Sequence, residues 1–261
     1  MMVRLMALIV AAVALLAPAW AQETKEPASS QCDVPAYLLS SDSTLPNVAV
    51  AVKSRQRLNI LVVGTRSSSL PGADGEISAY PARLQAVLRE KLPGVTVDIR
   101  TNVQPRRTAE EAGAILEKLV LERKPDLVIW QTGTVDAIRS VDPDEFRATL
   151  DEGIASVKKA GSDLMLVNLQ YSPRTDTVMT VGPYIDSMRI VAQRMDVPLF
   201  DRFGIMRDWQ ETGDFDLFSV PQGSDHGLGM AKQVHECLGR LMAKYVIDTA
   251  PINPAELRIQ R

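Results

Sequence analysis

Histidine and cysteine are scarce in this 261-residue chain: two of each, His226, His235, Cys32 and Cys237, widely separated. No Cys/His cluster has the spacing of zinc ligands, which argues against a protein-built zinc site. The stretch "GADGE", residues 72–76, lacks the further oxygen ligands of a calcium loop. No glycine fingerprint for phosphates or dinucleotides is present, and neither metal nor cofactor is expected. Basic charge is not in excess either. The formal net charge is −3 and no polybasic tail occurs, which argues against nucleic acid and against an anionic membrane surface as partner. Beyond residue 16 no apolar run approaches the roughly 18 to 20 residues of a membrane span. No internal repeat, low-complexity tract or linker calls for a second domain.

What is present first is a leader. "MMVRLMALIVAAVALLAPAWAQETKEP" has a basic Arg4, an apolar stretch over 5–16, and small residues Ala19 and Ala21 around Trp20. This is the pattern of a secretory signal peptide, 1–21, with cleavage expected before Gln22; an uncleaved anchor is the alternative. Cleavage removes one arginine and no acid, so the net charge of −3 becomes −4. A periplasmic or secreted protein is expected, and a monomer. In an oxidising compartment two cysteines invite pairing, and Cys237 falls on the apolar face of a helical pattern through Met230, Val234, Leu238, Leu241 and Tyr245. A Cys32–Cys237 bridge would staple the N-terminal end to the last helix, contributing on the order of 4 to 5 kcal/mol in the chain-entropy model. Two separate buried thiols are the alternative.

The body of the chain alternates regularly. Strands are expected at 58–63, 96–100, 126–131, 164–169 and 198–201, and amphipathic helices at 80–92, 108–123, 142–160, 181–195 and 229–246. Thr108 with Glu111 is spaced as a capping box, and Asp142 before Pro143 places an acceptor at a helix cap. "LVIW" and "LMLVNL" are nearly continuous apolar runs, as strands covered on both faces require. The expected architecture is α/β: a three-layer α/β/α sandwich around a mostly parallel five-stranded sheet. It divides into an N-terminal extension, 22–57, a domain, 58–247, and a C-terminal tail, 248–261.

In such a sheet, chemistry gathers at the carboxyl ends of the strands. The turns there carry, in order, "LVVGTRSSSLPGADGEISAYPARLQAVLREKLPG", "RTNVQPRRTAEE", "PDLVIWQTGTVDAI", "LMLVNLQYSPR" and "GSDHGLGMAKQVHECLGRLMA". Together they resemble the SGNH/GDSL hydrolases, in particular an exported bacterial branch, over about residues 58–243. The resemblance implies a flavodoxin-like SGNH hydrolase fold. It also implies four blocks: a Gly-Asp-Ser turn carrying the nucleophile, a glycine and an asparagine that complete the oxyanion hole, and an Asp-x-x-His motif before the last helix.

Each block is altered here. After Gly64 the nucleophile position holds Arg66, which stays protonated and cannot attack a carbonyl. Anchoring on Thr108 puts the oxyanion glycine at Arg106, and in "GTVD" the donor asparagine is replaced by Val135. Loss of one such donor typically costs about 10² to 10³ in rate. Anchoring on "CLGRLMA" places the acid at His226 and the base at Gly229, while His235 falls inside the helix and off its apolar face.

These replacements imply a fold without its chemistry, with a binding, scaffolding or regulatory role at the cell envelope. The alternative is an active esterase or acyl hydrolase of acylated glycan or lipid, with Ser67 or Ser68 as shifted nucleophile, His226 as base and Asp225 or Asp214 as orienter. For the inactive reading, Arg66 and Arg106, with Arg107 beside them, enter one cleft and bind an anion such as an acidic glycan, a lipid phosphate or the carboxylate of a protein partner. Local pairing with Asp74, Glu76, Asp136 or Asp225 would instead plug that cleft. Tyr171, in "LQYSPR", lines the cleft or packs in the core.

Overall fold

The structure, a computed structural model, describes residues 32–219 and 223–259. The expected signal peptide and the residues up to 31 lie outside them. Five parallel strands form one sheet: β1 Arg57–Gly64, β2 Thr96–Val103, β3 Leu127–Gln131, β4 Asp163–Val167 and β5 Leu199–Phe200, in the order β2-β1-β3-β4-β5. The period-2 pattern sorts their side chains. Leu58, Ile60, Val62, Leu127, Ile129 and Met165 join one buried cluster, and Leu61, Val63, Val128, Trp130, Leu164 and Leu166 join the other.

Helices cover both faces of the sheet. The main ones are α1 Tyr80–Lys91, α2 Ala109–Arg123, α3 Thr134–Ile138, α4 Pro143–Lys159, α5 Gly182–Arg194, α6 Arg202–Thr212 and α7 Asp225–Thr249. Residues of α1 and α7 fill the first cluster, and residues of α2, α4 and α5 fill the second. This is a three-layer α/β/α fold. The Thr108–Glu111 capping box is formed in both directions, with bonds of 3.3 and 2.9 Å, and Asp142 accepts from the amides of Asp144 and Glu145. Leu38, Leu45, Val48 and Val52, before the first strand, and Ala250 and Ile252, after the last helix, are all buried in the first cluster.

Cys32 and Cys237 form a disulfide across 205 residues of sequence, so the two-thiol alternative is set aside. Among the described residues no helix is long and apolar enough to cross a membrane.

Three local expectations need correction. The last helix begins at Asp225, not 229, because the Ser224 hydroxyl accepts from the Gly227 amide and starts it a turn earlier. The fourth strand stops at Val167. Asn168 turns out of it to bond the Asp201 carboxylate (2.6 Å) and the Phe203 amide (2.9 Å). Those bonds, with Asp201 accepting from Gly204, nucleate α6, a helix that sequence periodicity does not reveal.

Candidate functional site

The chain runs from β1 to β2 on one side and places β3 on the other, so β1 and β3 part company at their carboxyl ends. That is the switch point where α/β sheets open a crevice. Gly64 ends β1 and Gln131 ends β3, and the Gln131 side chain spans the gap. Its Oε1 accepts from the Thr65 amide (3.0 Å) and from the hydroxyls of Thr65, Ser67 and Ser68 at 3.1, 3.3 and 2.9 Å. Gly64 is required beneath them: a Cβ there would stand 2.4 Å from the Ser68 hydroxyl.

A cleft of about 1110 Å³ opens over this point. Arg66, Ser67, Arg106, Val135, Tyr171, Arg202, Asp225 and His235 all contribute to its lining. Arg66 and Arg106 are exposed and both line it, and neither is paired with a described carboxylate. Pairing that would plug the cleft is therefore not formed: Asp74 is bonded to Lys232 (2.6 Å), and Asp136 is engaged with backbone. Arg106 has φ +63°, the left-handed region that favours glycine. The backbone thus keeps a glycine-like turn while an arginine occupies it.

Arg107 departs from expectation. It is buried, bonds Asn102 Oδ1 at 2.7 Å, and lines a neighbouring depression of about 660 Å³ instead of the cleft. The left-handed turn at Arg106 reverses the chain, so the next side chain leaves on the other side. Burial holds its guanidinium below the usual range.

Asp136 fixes the second and third blocks relative to each other. Its carboxylate, 1% exposed, accepts from the Ala109 amide at the start of α2 (2.9 Å) and the Gly133 amide before α3 (3.2 Å), with the Thr132 hydroxyl at 3.4 Å. Burial raises its pKa despite these bonds. Gly133, at φ +95°, cannot be larger: a Cβ would lie 2.6 Å from Leu169 Cδ1. Val135 then stands half-buried at the cleft, where a donor would otherwise sit.

The residues of the esterase alternative do not converge. Ser68 is buried, its hydroxyl held between Gln131 Oε1 and the Tyr80 hydroxyl, both at 2.9 Å. Ser67 faces the cleft but bonds Gln131 and Arg202. His226 is exposed in the first turn of α7, away from the cleft lining, and makes no hydrogen bond to either serine. Asp225 precedes it at the cleft edge, and Asp214 accepts from Thr212. At Gly229 a Cβ would meet nothing within 4 Å: the base position has room but no side chain. Tyr171 packs edge-on against Phe203, ring centroids 5.2 Å apart, so it is both packed and at the cleft wall.

The histidine that does reach the cleft is His235. It is 7% exposed, on the covered face of α7 instead of off it. Gly239, one turn later, explains this: its missing Cβ would be 2.5 Å from Arg83 Cβ and 2.9 Å from the Leu84 amide, so α7 closes tightly on α1. The approach brings His235 Nδ1 to the Tyr80 amide at 2.9 Å, where it caps α1. An amide donates its proton, so Nδ1 is the acceptor and the ring proton sits on Nε2. Burial and the neighbouring Arg202 charge push the imidazole pKa down to about 3.

Arg202, at the first position of α6, completes the floor. It is 1% exposed and donates from Nη1 to the Ser67 carbonyl (3.3 Å) and hydroxyl (3.2 Å). Burial lowers its pKa to about 10, so it remains charged at neutral pH. Sequence reading missed Arg202, Gln131 and Tyr80. The signal for the first was its place two residues past β5, at a strand's carboxyl end like the other turns. The floor is therefore lined by the Arg202 guanidinium, the His235 ring and Ser67. The guanidinium can hold a negative oxygen, and the Ser67 hydroxyl beside it is bonded to Gln131 and Arg202.

Comparison with known proteins places this geometry. The non-GDSL lipase-like family matches residues 31–252. The lipase/acylhydrolase from Enterococcus faecalis aligns at TM-score 0.59 and 19% identity, over 76% of this chain and 98% of that one. A variant of Axe2, an acetyl xylan esterase from Geobacillus stearothermophilus, gives 0.57 and 18%, over 72% and 94%. The psychrotrophic esterase EstA from a Pseudoalteromonas species gives 0.57 and 16%, over 73% and 97%. At these identities the likeness is one of fold, that of the SGNH/GDSL hydrolases. No curated protein matches the chain.

Proposed function

This chain belongs to the non-GDSL lipase-like family, and from that premise we propose that it is an exported, non-hydrolytic protein whose cleft binds an acidic ligand of the cell envelope. One observation carries the reading: the turn that presents a serine in SGNH hydrolases presents Arg66 here, exposed on the cleft and unpaired among the described residues. A guanidinium recognises carboxylate or phosphate oxygens through paired N–H donors and has no nucleophilic character at physiological pH. Val135 and Gly229, at the donor and base positions, support the same reading from two other elements. The disulfide supports export, since such bonds persist outside the reducing cytosol.

The test uses residues 22–261. Hydrolysis of p-nitrophenyl acetate should equal that of a Ser67→Ala/Ser68→Ala double variant. Polygalacturonate or phosphatidylglycerol vesicles should retain the protein at low salt, and Arg66→Ala/Arg106→Ala should abolish that retention. Turnover above the serine-free background, or retention indifferent to the two arginines, overturns the proposal.

A further inference from the structure

The cleft floor contains a cation without a counter-charge. Arg202 is 1% exposed, yet only Nη1 is bonded, to Ser67; Nε and Nη2 are buried and have no partner among the described residues. The adjacent carboxylate, Asp201, is occupied by Asn168, the Gly204 amide and Arg189. No described acid forms an ion pair with Arg202, and the residues whose charges it feels or affects are Tyr80 and His235. Buried guanidinium groups are ordinarily paired, because an unmatched charge in a protein interior is costly to keep. The free Nε–Nη2 edge is the side of a guanidinium that takes two oxygens of one anion in parallel.

We propose that this floor seats the head of an acidic amphiphile, an aliphatic carboxylate or monoalkyl phosphate, with Arg202, its edge uncovered by a small side-chain adjustment, as the principal contact and the tail lying along the cleft wall. The inference rests on, and deepens, the reading of the cleft as an anion-binding site. Ser67, whose hydroxyl is bonded to Gln131 and Arg202, and His235, whose ring proton sits on Nε2, line the cleft beside Arg202. The wall above is apolar where Met206, Leu217, Leu228, Met230 and Val234 line it, a surface suited to methylene groups and not to a glycan. Arg66 and Arg106 stand at the mouth as exposed charges. Their part is to draw the anion in, an effect on association that salt screens. Seating on Arg202 governs dissociation.

Calorimetric titration of residues 22–261 with decanoate and with monodecyl phosphate tests this, with acetate, inorganic phosphate and decanol as controls lacking tail or head. At least one amphiphile should bind about 30-fold or more tightly than its controls, and which of the two binds identifies the head. Arg202→Met should lose that affinity by about 30-fold or more. Its ligand-free melting temperature should equal or exceed that of the wild type, since a buried unpaired charge has been removed. Arg202→Lys, which keeps the charge but loses the fork, should lose about tenfold, and it serves where the methionine variant does not fold. Unchanged amphiphile binding in either folded variant overturns the proposal. So does equal affinity for acetate or phosphate and the amphiphiles. Absence of amphiphile binding, with Arg66- and Arg106-dependent retention on polygalacturonate intact, removes the seat while leaving the mouth as an anion site.

Discussion

The amide of Tyr80 donates to Nδ1 of His235 across 2.9 Å, joining the start of α1 to the middle of α7. That one bond sets the tautomer of the histidine at the cleft and caps a helix. It also turns a residue that could serve as a base in a hydrolase into a donor.

The pH dependence of stability follows from it. The folded imidazole titrates near 3, against 6.5 for an unperturbed histidine. Below pH 6.5 the unfolded chain takes up a proton that the fold refuses, so stability is fully present above that value and falls as the pH drops toward 3. The slope is at most about 1.4 kcal/mol per pH unit. Urea unfolding from pH 7 to 4 should show a steeper loss in the wild type than in His235→Gln, whose carbonyl can still accept from Tyr80. Equal slopes would refute the neutral-cap role.

Gly239 makes the contact between α1 and α7 possible. In Gly239→Ala the new methyl meets Arg83 Cβ and the Leu84 backbone, and the helices must part. Stability should fall by about 1 to 3 kcal/mol, measured by urea denaturation; no loss would mean that the helices have slack.

Asp136→Ala strips acceptors from the amides of Ala109 and Gly133 at once. About 2 to 4 kcal/mol should be lost. Because these amides hold the second and third blocks together, anion retention should weaken too. A stable variant with normal retention would show that the carboxylate does not position the rim.

The disulfide closes a loop of 205 residues. Cys32→Ser/Cys237→Ser should be less stable by about 5 kcal/mol in the chain-entropy model, readable as a lowered urea midpoint. A midpoint unchanged from the wild type would show that the bridge contributes nothing.

Much of the architecture was legible in the sequence, because buried parallel strands and capped helices leave local marks: "LVIW", the Thr108–Glu111 pair, Asp142 with Pro143. Arg66 and Arg106 line one cleft, a placement the resemblance to the SGNH/GDSL hydrolases implied by aligning them with two blocks of one site. What the sequence hid depends on residues far apart. His235 looked polar and outward by periodicity, because the covered face of α7 is widened by a neighbour that only Gly239 admits. Arg202 follows a two-residue strand and opens a helix whose cap, Asp201, is held by Asn168, 33 residues from it at the end of the neighbouring strand. Arg107 was assigned to the cleft because a left-handed arginine at 106 is not expected from its residue type.

The central claim is that the serines beside Arg66 are not nucleophiles. Intact-mass measurement after exposure of residues 22–261 to a serine-directed fluorophosphonate tests it most directly. The account predicts an unmodified mass. A stoichiometric phosphonyl adduct on Ser67 or Ser68 would contradict it.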